Sequence, residues 1–328
     1  MSAHDIQYRA PWWLPGQHLQ TIYPALVLRS TPPPLRRERW ELPDGDFIDV
    51  DHLDGPREAP LVALFHGLEG SARSHYASAM LHTLRTRGWR GAIPHFRGCS
   101  GEPNRLARAY HSGDADEIHA MLNRLAVRAD GPVFAVGVSL GGNALLKWLG
   151  REGEQARRVV RAAAAVSAPL DLPAAGAALG RGFNRLYTRE FLRTLKPKAL
   201  AKLGHFPGLF DREAMERATD FDAFDDLYTG PVHGYEGVRD YWARASSKPE
   251  LIRISVPTLV LNPRNDPFLP ATFLPRPDQV SSHVVLEQPA QGGHAGFAAG
   301  RFPGHLRWLP ERLIAFFQST ESISANNA

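Results

Sequence analysis

The sequence predicts an α/β fold: a mostly parallel central sheet flanked by helices, with a helical segment inserted late in the chain. Three observations carry this. From residue 60 onward, short apolar runs alternate with amphipathic stretches across Gly-rich turns, which calls for parallel strands joined by right-handed crossovers. The runs are apolar throughout, as in strands covered on both faces. One long stretch, 169–255, breaks the alternation and shows only helical patterns, too long to be a plain loop in a compact domain.

The elements follow in order. Asp46–His52 alternates Ile48 and Val50 with Asp49 and Asp51, the pattern of a half-exposed antiparallel strand. Buried strands are expected at Leu61–Phe65, Gly91–Pro94, Val133–Val136, Val159–Val166, Pro257–Leu261 and His283–Leu286. A helix over 76–87 aligns Ala77, Leu81 and Leu84 and stops at Gly88; one over 113–128 aligns Ile118, Leu122 and Leu125, with Ser112 as N-cap. Asn143–Leu149 is an apolar helical segment, and the inserted stretch contains helical patterns at Arg189–Lys196 and Asp211–Thr219. A last helix near 310–318 starts with Pro310 in its first position and packs Phe316 and Phe317 on the sheet; Glu321–Ala328 should fray. Residues 1–168 and 256–328 therefore form one core, with 1–35 an N-terminal segment packing on it, and 169–255 form a helical cap.

Composition narrows the function classes. The 328 residues are 43% hydrophobic and 22% charged, ordinary for a globular protein. The net charge of +4 is scattered, without the basic stripe or stacked aromatics of a nucleic-acid binder. The single cysteine, Cys99, excludes an intramolecular disulfide and a Cys-based zinc site. No His-Glu-x-x-His occurs and His75 and His82 lack a third ligand, so neither metal nor cofactor is expected. The start, Met1–Asp5, lacks the basic and apolar regions of a signal peptide, and no apolar run is long enough to span a bilayer. The expectation is a cytoplasmic protein without an integral membrane segment. Peripheral lipid contact is left to Trp12-Trp13-Leu14 and Ile22-Tyr23, for which packing across the core is the preferred reading.

The chemistry sits in Gly137-Val138-Ser139-Leu140-Gly141-Gly142, between a strand and a helix. A serine on such a sharp turn projects its hydroxyl above the sheet, and the turn needs small residues two positions either side. A serine hydroxyl attacks only when a base takes its proton. His294, after the last strand, is the candidate base, and Asp266, after Pro257–Leu261, is the acid that orients it. All three lie at carboxyl ends of predicted strands, where open α/β sheets build their sites. The backbone N–H groups of Leu140 and of Leu68, in Phe65–Ser71, are the expected oxyanion donors. His66 reads as a structural residue beneath that loop, and Cys99 as structural. Phe183, Leu186, Tyr187 and Phe191 in the inserted stretch are candidate pocket residues.

Seven segments carry a family resemblance: Gln17–Thr21, His66–Ser71, Phe96–Gly101, Gly137–Asn143, Val166–Pro169, Asn265–Phe268 and Gly292–Phe297. In this order, and spanning nearly the whole chain, they resemble α/β-hydrolases of the fourth AB-hydrolase subfamily, the YheT-like esterases. The resemblance implies the α/β-hydrolase fold, carboxylic-ester hydrolase activity, and Ser139, Asp266 and His294 as nucleophile, acid and base. The expected partner is a small-molecule acyl ester of short to medium chain. An alcohol acyltransferase or an acylglycerol lipase would use the same triad, while a non-catalytic scaffold would usually have lost one member of it.

Overall fold

The computed structural model describes residues 7–325. Eight strands form one sheet: β1 Arg36–Glu41, β2 Phe47–Leu53, β3 Leu61–Phe65, β4 Arg90–Pro94, β5 Val133–Val138, β6 Ala162–Val166, β7 Thr258–Leu261 and β8 Val284–Glu287. They lie in the order β1-β2-β4-β3-β5-β6-β7-β8. Only the β1–β2 and β2–β4 pairings are antiparallel; β4, β3 and β5 to β8 run parallel. This is the α/β architecture expected, with antiparallel strands at its start.

Two apolar layers sandwich the sheet. On β3, Leu61, Ala63 and Phe65 point to one layer, and Val62 and Leu64 to the other. The N-terminal helix α1 (Gln17–Leu26) lies near the carboxyl ends of the strands. The first layer is closed by α3 (Ala115–Ala126) and α4 (Leu140–Glu152), the second by α2 (His75–Thr86) and the C-terminal helix (Trp308–Ala325). The ring of Phe317, from that last helix, stacks on Phe134 of β5 with centroids 4.6 Å apart.

Several local expectations are corrected. The N-cap of α3 is Asp114, whose side chain accepts from the Glu117 N–H, not Ser112; the Ser112 side chain and carbonyl instead accept from Asn143 Nδ2. Pro310 sits third in its helix, which begins at Trp308; there too its missing N–H removes no intrahelical bond. That helix still runs at Ala325, and the rest of the tail expected to fray lies outside the described residues. Residues 159–161 precede β6 instead of opening it. The polar side of β2 is not open to water: Asp49 and Asp51 are buried under Arg39 and Arg37, with closest contacts of 2.8 and 2.7 Å. Those arginines belong to β1, an edge strand whose charged sequence carries no strand pattern.

Between β6 and β7 the described chain forms only helices: α5 (Leu172–Leu179), α6 (Arg185–Lys202), α7 (Arg212–Arg217), short turns over 221–232 and α8 (Val238–Ala245). Numbered in chain order, the C-terminal helix is α9. Leu192, Leu195, Met215, Phe224 and Tyr228 give this segment a small apolar cluster of its own.

Candidate active site

Ser139 is the single residue between β5 and α4, at φ 54° and ψ −122°. This left-handed backbone is costly for a residue with a Cβ. The Ser139 N–H donates to Val166 O at 2.8 Å, and a Cβ on either flanking glycine would collide with backbone. At Gly137 it would meet the Gly141 carbonyl; at Gly141 it would meet the Phe65 and His66 carbonyls. The small residues are therefore required by close approach of three chain segments.

The structure brings Ser139, His294 and Asp266 together. Ser139 Oγ lies 2.9 Å from His294 Nε2, and His294 Nδ1 lies 2.9 and 3.1 Å from the two Asp266 oxygens. A carboxylate only accepts, so Nδ1 carries the proton and Nε2 is free to receive the serine hydroxyl's. The buried Asp266 also accepts from the Phe268 N–H, at 2.8 Å, and the Phe268 ring lies 4.0 Å from the imidazole.

Helix α1 holds this arrangement from above, a role the Gln17–Thr21 pattern did not disclose. Thr21 Oγ1 accepts the His294 N–H at 2.9 Å. Gln20 Oε1 accepts from Gly292 N–H and Asn265 Nδ2, tying the His294 loop to the Asp266 loop. Gly293 and Gly296 press against the Gln20 backbone so closely that a Cβ at either would overlap it.

The two expected oxyanion donors line the same cavity as Ser139 and His294. Leu140 is the first residue of α4, so its N–H has no intrahelical acceptor. Among the described residues the Leu68 N–H also has no acceptor, although its neighbours do: Gly67 N–H donates to Tyr76 and Glu69 N–H to Tyr110, both at 2.8 Å. Glu69 is held at φ 55°. Its carboxylate accepts from the Tyr110 hydroxyl at 2.9 Å and pairs with Lys198 of α6 at 2.7 Å. His66 lies fully buried beneath the loop, donating from Nδ1 to Gly67 O and accepting the Phe96 N–H at Nε2. Burial pushes its pKa down to about 3, so it stays neutral.

The cavity has a volume of about 560 Å³. Its walls are largely apolar, from Leu68, Leu172, Leu179, Leu195, Phe221 and Trp242. Of the four pocket candidates only Phe191 lines it. Phe183 and Leu186 are 47% and 56% exposed, and Tyr187 sits behind Phe268 with its hydroxyl on His18 Nδ1. The first turn of α6 thus faces α1 and solvent, and the helix meets the cavity only from Phe191 onward. Among the polar side chains in the wall is Asp225, held by Trp242 Nε1 at 2.8 Å, with its pKa raised by burial to about 6. Cys99 also borders the cavity, but burial pushes its thiol up to about 12, so it is protonated at neutral pH. Among the described residues no cluster of three His, Cys, Asp or Glu could hold a metal, and no helix is long and apolar enough to cross a membrane.

A family model described as alpha/beta hydrolase fold matches residues 60–300, and the chain is 39% identical over 302 residues to "Putative esterase YheT" of Escherichia coli K12, covering 90% of this chain and 88% of that one. The chain belongs to the α/β-hydrolase family. Within it, this hydrolase groups with YheT. It is also 28% identical to the mouse protein named phospholipase ABHD3, over 92% of this chain and 75% of that one. Among solved structures, the Exiguobacterium antarcticum esterase aligns with a TM-score of 0.53 at 19% identity, covering 85% of this hydrolase and 98% of the esterase; that likeness concerns the fold alone.

Proposed function

We propose that this hydrolase cleaves carboxylic esters of short to medium acyl chain through an acyl-enzyme on Ser139. Membership of the family, and the esterase at 39% identity, support ester hydrolysis. The observation that carries the mechanism is the unbroken Ser139–His294–Asp266 relay opening on an apolar cavity beside two unengaged N–H groups.

The steps follow from that geometry. His294 Nε2 accepts the hydroxyl proton as Ser139 Oγ attacks the ester carbonyl. The Leu68 and Leu140 N–H groups receive the developing oxyanion, where each donor is worth roughly 3–4 kcal/mol. The imidazolium, stabilised by Asp266, returns the proton to the leaving alcohol. Water then repeats the sequence on the acyl-enzyme. We read 169–255 as the cap that shapes the acyl pocket, whose volume lies within the range of about 300–1,000 Å³ common for small-molecule sites.

The test is turnover of p-nitrophenyl esters from acetate to palmitate, with intact-mass analysis after fluorophosphonate treatment. The expected result is one adduct, on Ser139, and loss of activity on the order of 10⁶ in Ser139→Ala. A folded Ser139→Ala protein that hydrolyses these esters at near wild-type rates overturns the proposal.

A further inference from the structure

Helix α1 is folded inside out. Its inward face carries Gln20 and Thr21, which hold the Asp266 and His294 loops, while Leu19, Leu26 and Val27 face solvent. Leu26 is 69% exposed. Leu19, Tyr23 and Leu26 fall at the i, i+4, i+7 spacing of one helical stripe. Apolar side chains extend the stripe on both sides. On one, Trp13 packs edge-on to Tyr23 and to Phe302, at 5.3 and 5.5 Å, with Phe302 73% and Trp12 92% exposed. On the other, the His18 ring lies tilted against Phe183 with centroids 4.2 Å apart, and Leu186 follows in the first turn of α6. The packing expected for Trp12 in the core is thus not what the structure shows.

The charge of this face is one-sided. The three segments that build it, 7–35, 172–189 and 288–310, contain no Asp or Glu. They carry Arg9 and Arg29, Arg181, Arg185 and Arg189, and Arg301 and Arg307. All seven are exposed, and among the described residues none makes an ion pair. Elsewhere on the surface most arginines do, from Arg36 with Asp54 to Arg312 with Glu287.

We propose that this face, α1 with the 12–13, 183–186 and 301–302 flanks, docks the protein on an anionic lipid surface. Exposed tryptophan, leucine and phenylalanine enter the interfacial region of a bilayer, and an arginine rim meets the headgroup charge. The same rim argues against self-pairing: a two-fold contact through this face would set unpaired arginines against arginines. Because α1 directly carries the bonds that position His294 and Asp266, docking places the membrane against the element that organises the catalytic loops.

Sedimentation with sucrose-loaded vesicles tests this on the purified full chain. Phosphatidylcholine vesicles are compared with vesicles containing about 30 mol% phosphatidylglycerol, whose surface potential attracts basic residues. Partitioning is expected to be at least about tenfold stronger on the anionic vesicles and to be reversed by about 0.5 M NaCl. Trp12→Ser with Phe302→Ser should weaken it by more than about tenfold. Arg181→Gln and Arg185→Gln should each cost about fivefold, the equivalent of one basic residue near a charged membrane. Turnover of a soluble p-nitrophenyl ester, unchanged in all four substitutions, serves as the folding control. Equal partitioning on neutral and anionic vesicles, or variants that sediment as the wild type does, overturns the proposal. So does sedimentation velocity that finds a lipid-free dimer dissociated by Trp12→Ser with Phe302→Ser, which would assign the face to self-association. The vesicle assay uses no substrate, and Ser139→Ala should bind as wild type does, so its outcome is separate from that of the ester-hydrolase proposal.

Discussion

Tyr110→Phe is the most informative single substitution near Ser139, because it removes one oxygen and leaves the ring. That oxygen accepts the Glu69 N–H at 2.8 Å and donates to a Glu69 carboxylate oxygen at 2.9 Å. The ring stays stacked on Phe96, with centroids 5.4 Å apart and planes nearly parallel. Without the hydroxyl, the Glu69 N–H is left unpaired, at a cost of about 1–3 kcal/mol. The left-handed backbone at Glu69 (φ 55°) then loses the contact that holds it from within the core, and such backbone stores roughly 1–3 kcal/mol of strain. Relaxation rotates the adjacent peptide, whose N–H is that of Leu68. Complete loss of one oxyanion donor costs on the order of 10²–10³ in kcat. Here Tyr76 still holds Gly67, and Lys198 still holds the Glu69 carboxylate. With the Leu68 N–H as the proposed oxyanion donor, the expected result is therefore a fall in kcat of about 10- to 100-fold with KM changed less than about twofold, since such a donor acts mainly on the transition state. Steady-state hydrolysis of p-nitrophenyl butyrate, paired with urea unfolding, measures both sides. A variant destabilised as calculated but with unchanged kcat would refute the reasoning, because Tyr110 would then support only the fold.

Two further outcomes are expected. Gly141→Ala places a methyl group onto the Phe65 and His66 carbonyls; a destabilisation of at least about 3 kcal/mol is expected in urea, and an unchanged unfolding midpoint would contradict the packing argument. Asp225→Asn should make stability less dependent on pH. The native carboxyl, raised by burial to about 6, binds more protons than the unfolded one between about pH 4 and 6, so its contribution is present below that window and lost as pH rises through it. Asparagine imitates the neutral form, so the variant should match wild type near pH 4 and exceed it by up to about 2–3 kcal/mol at pH 7. Identical unfolding free energies at pH 7 would disprove it.

How much was legible in the sequence depends on whether a signal was local. The parallel strands were, because apolar runs such as Leu61–Phe65 are buried on both faces wherever the sheet places them. Even Ala162–Val166, four alanines and a valine with little intrinsic strand preference, was found in part by its apolarity. Strand β1 was not, since Arg37 and Arg39 make sense only opposite Asp51 and Asp49. Helix α1 hid for a related reason: periodicity assumes that apolar side chains turn inward, and here Gln20 and Thr21 do.

The same division runs through the site. Ser139 announces itself by its glycines, because a strained turn constrains its own neighbours, and Asp266 and His294 follow from their places at strand ends. Those are consequences of chain order, and chain order is in the sequence. What only the tertiary structure decided is which side chains meet across distant segments: Gln20 and Thr21 on the Asp266 and His294 loops, Tyr110 beneath Glu69, and the rotation of α6 that admits Phe191 to the cavity and turns Phe183 and Leu186 away. A helix's rotation and a loop's partners are set by packing against residues far along the chain. No short-range pattern records that choice.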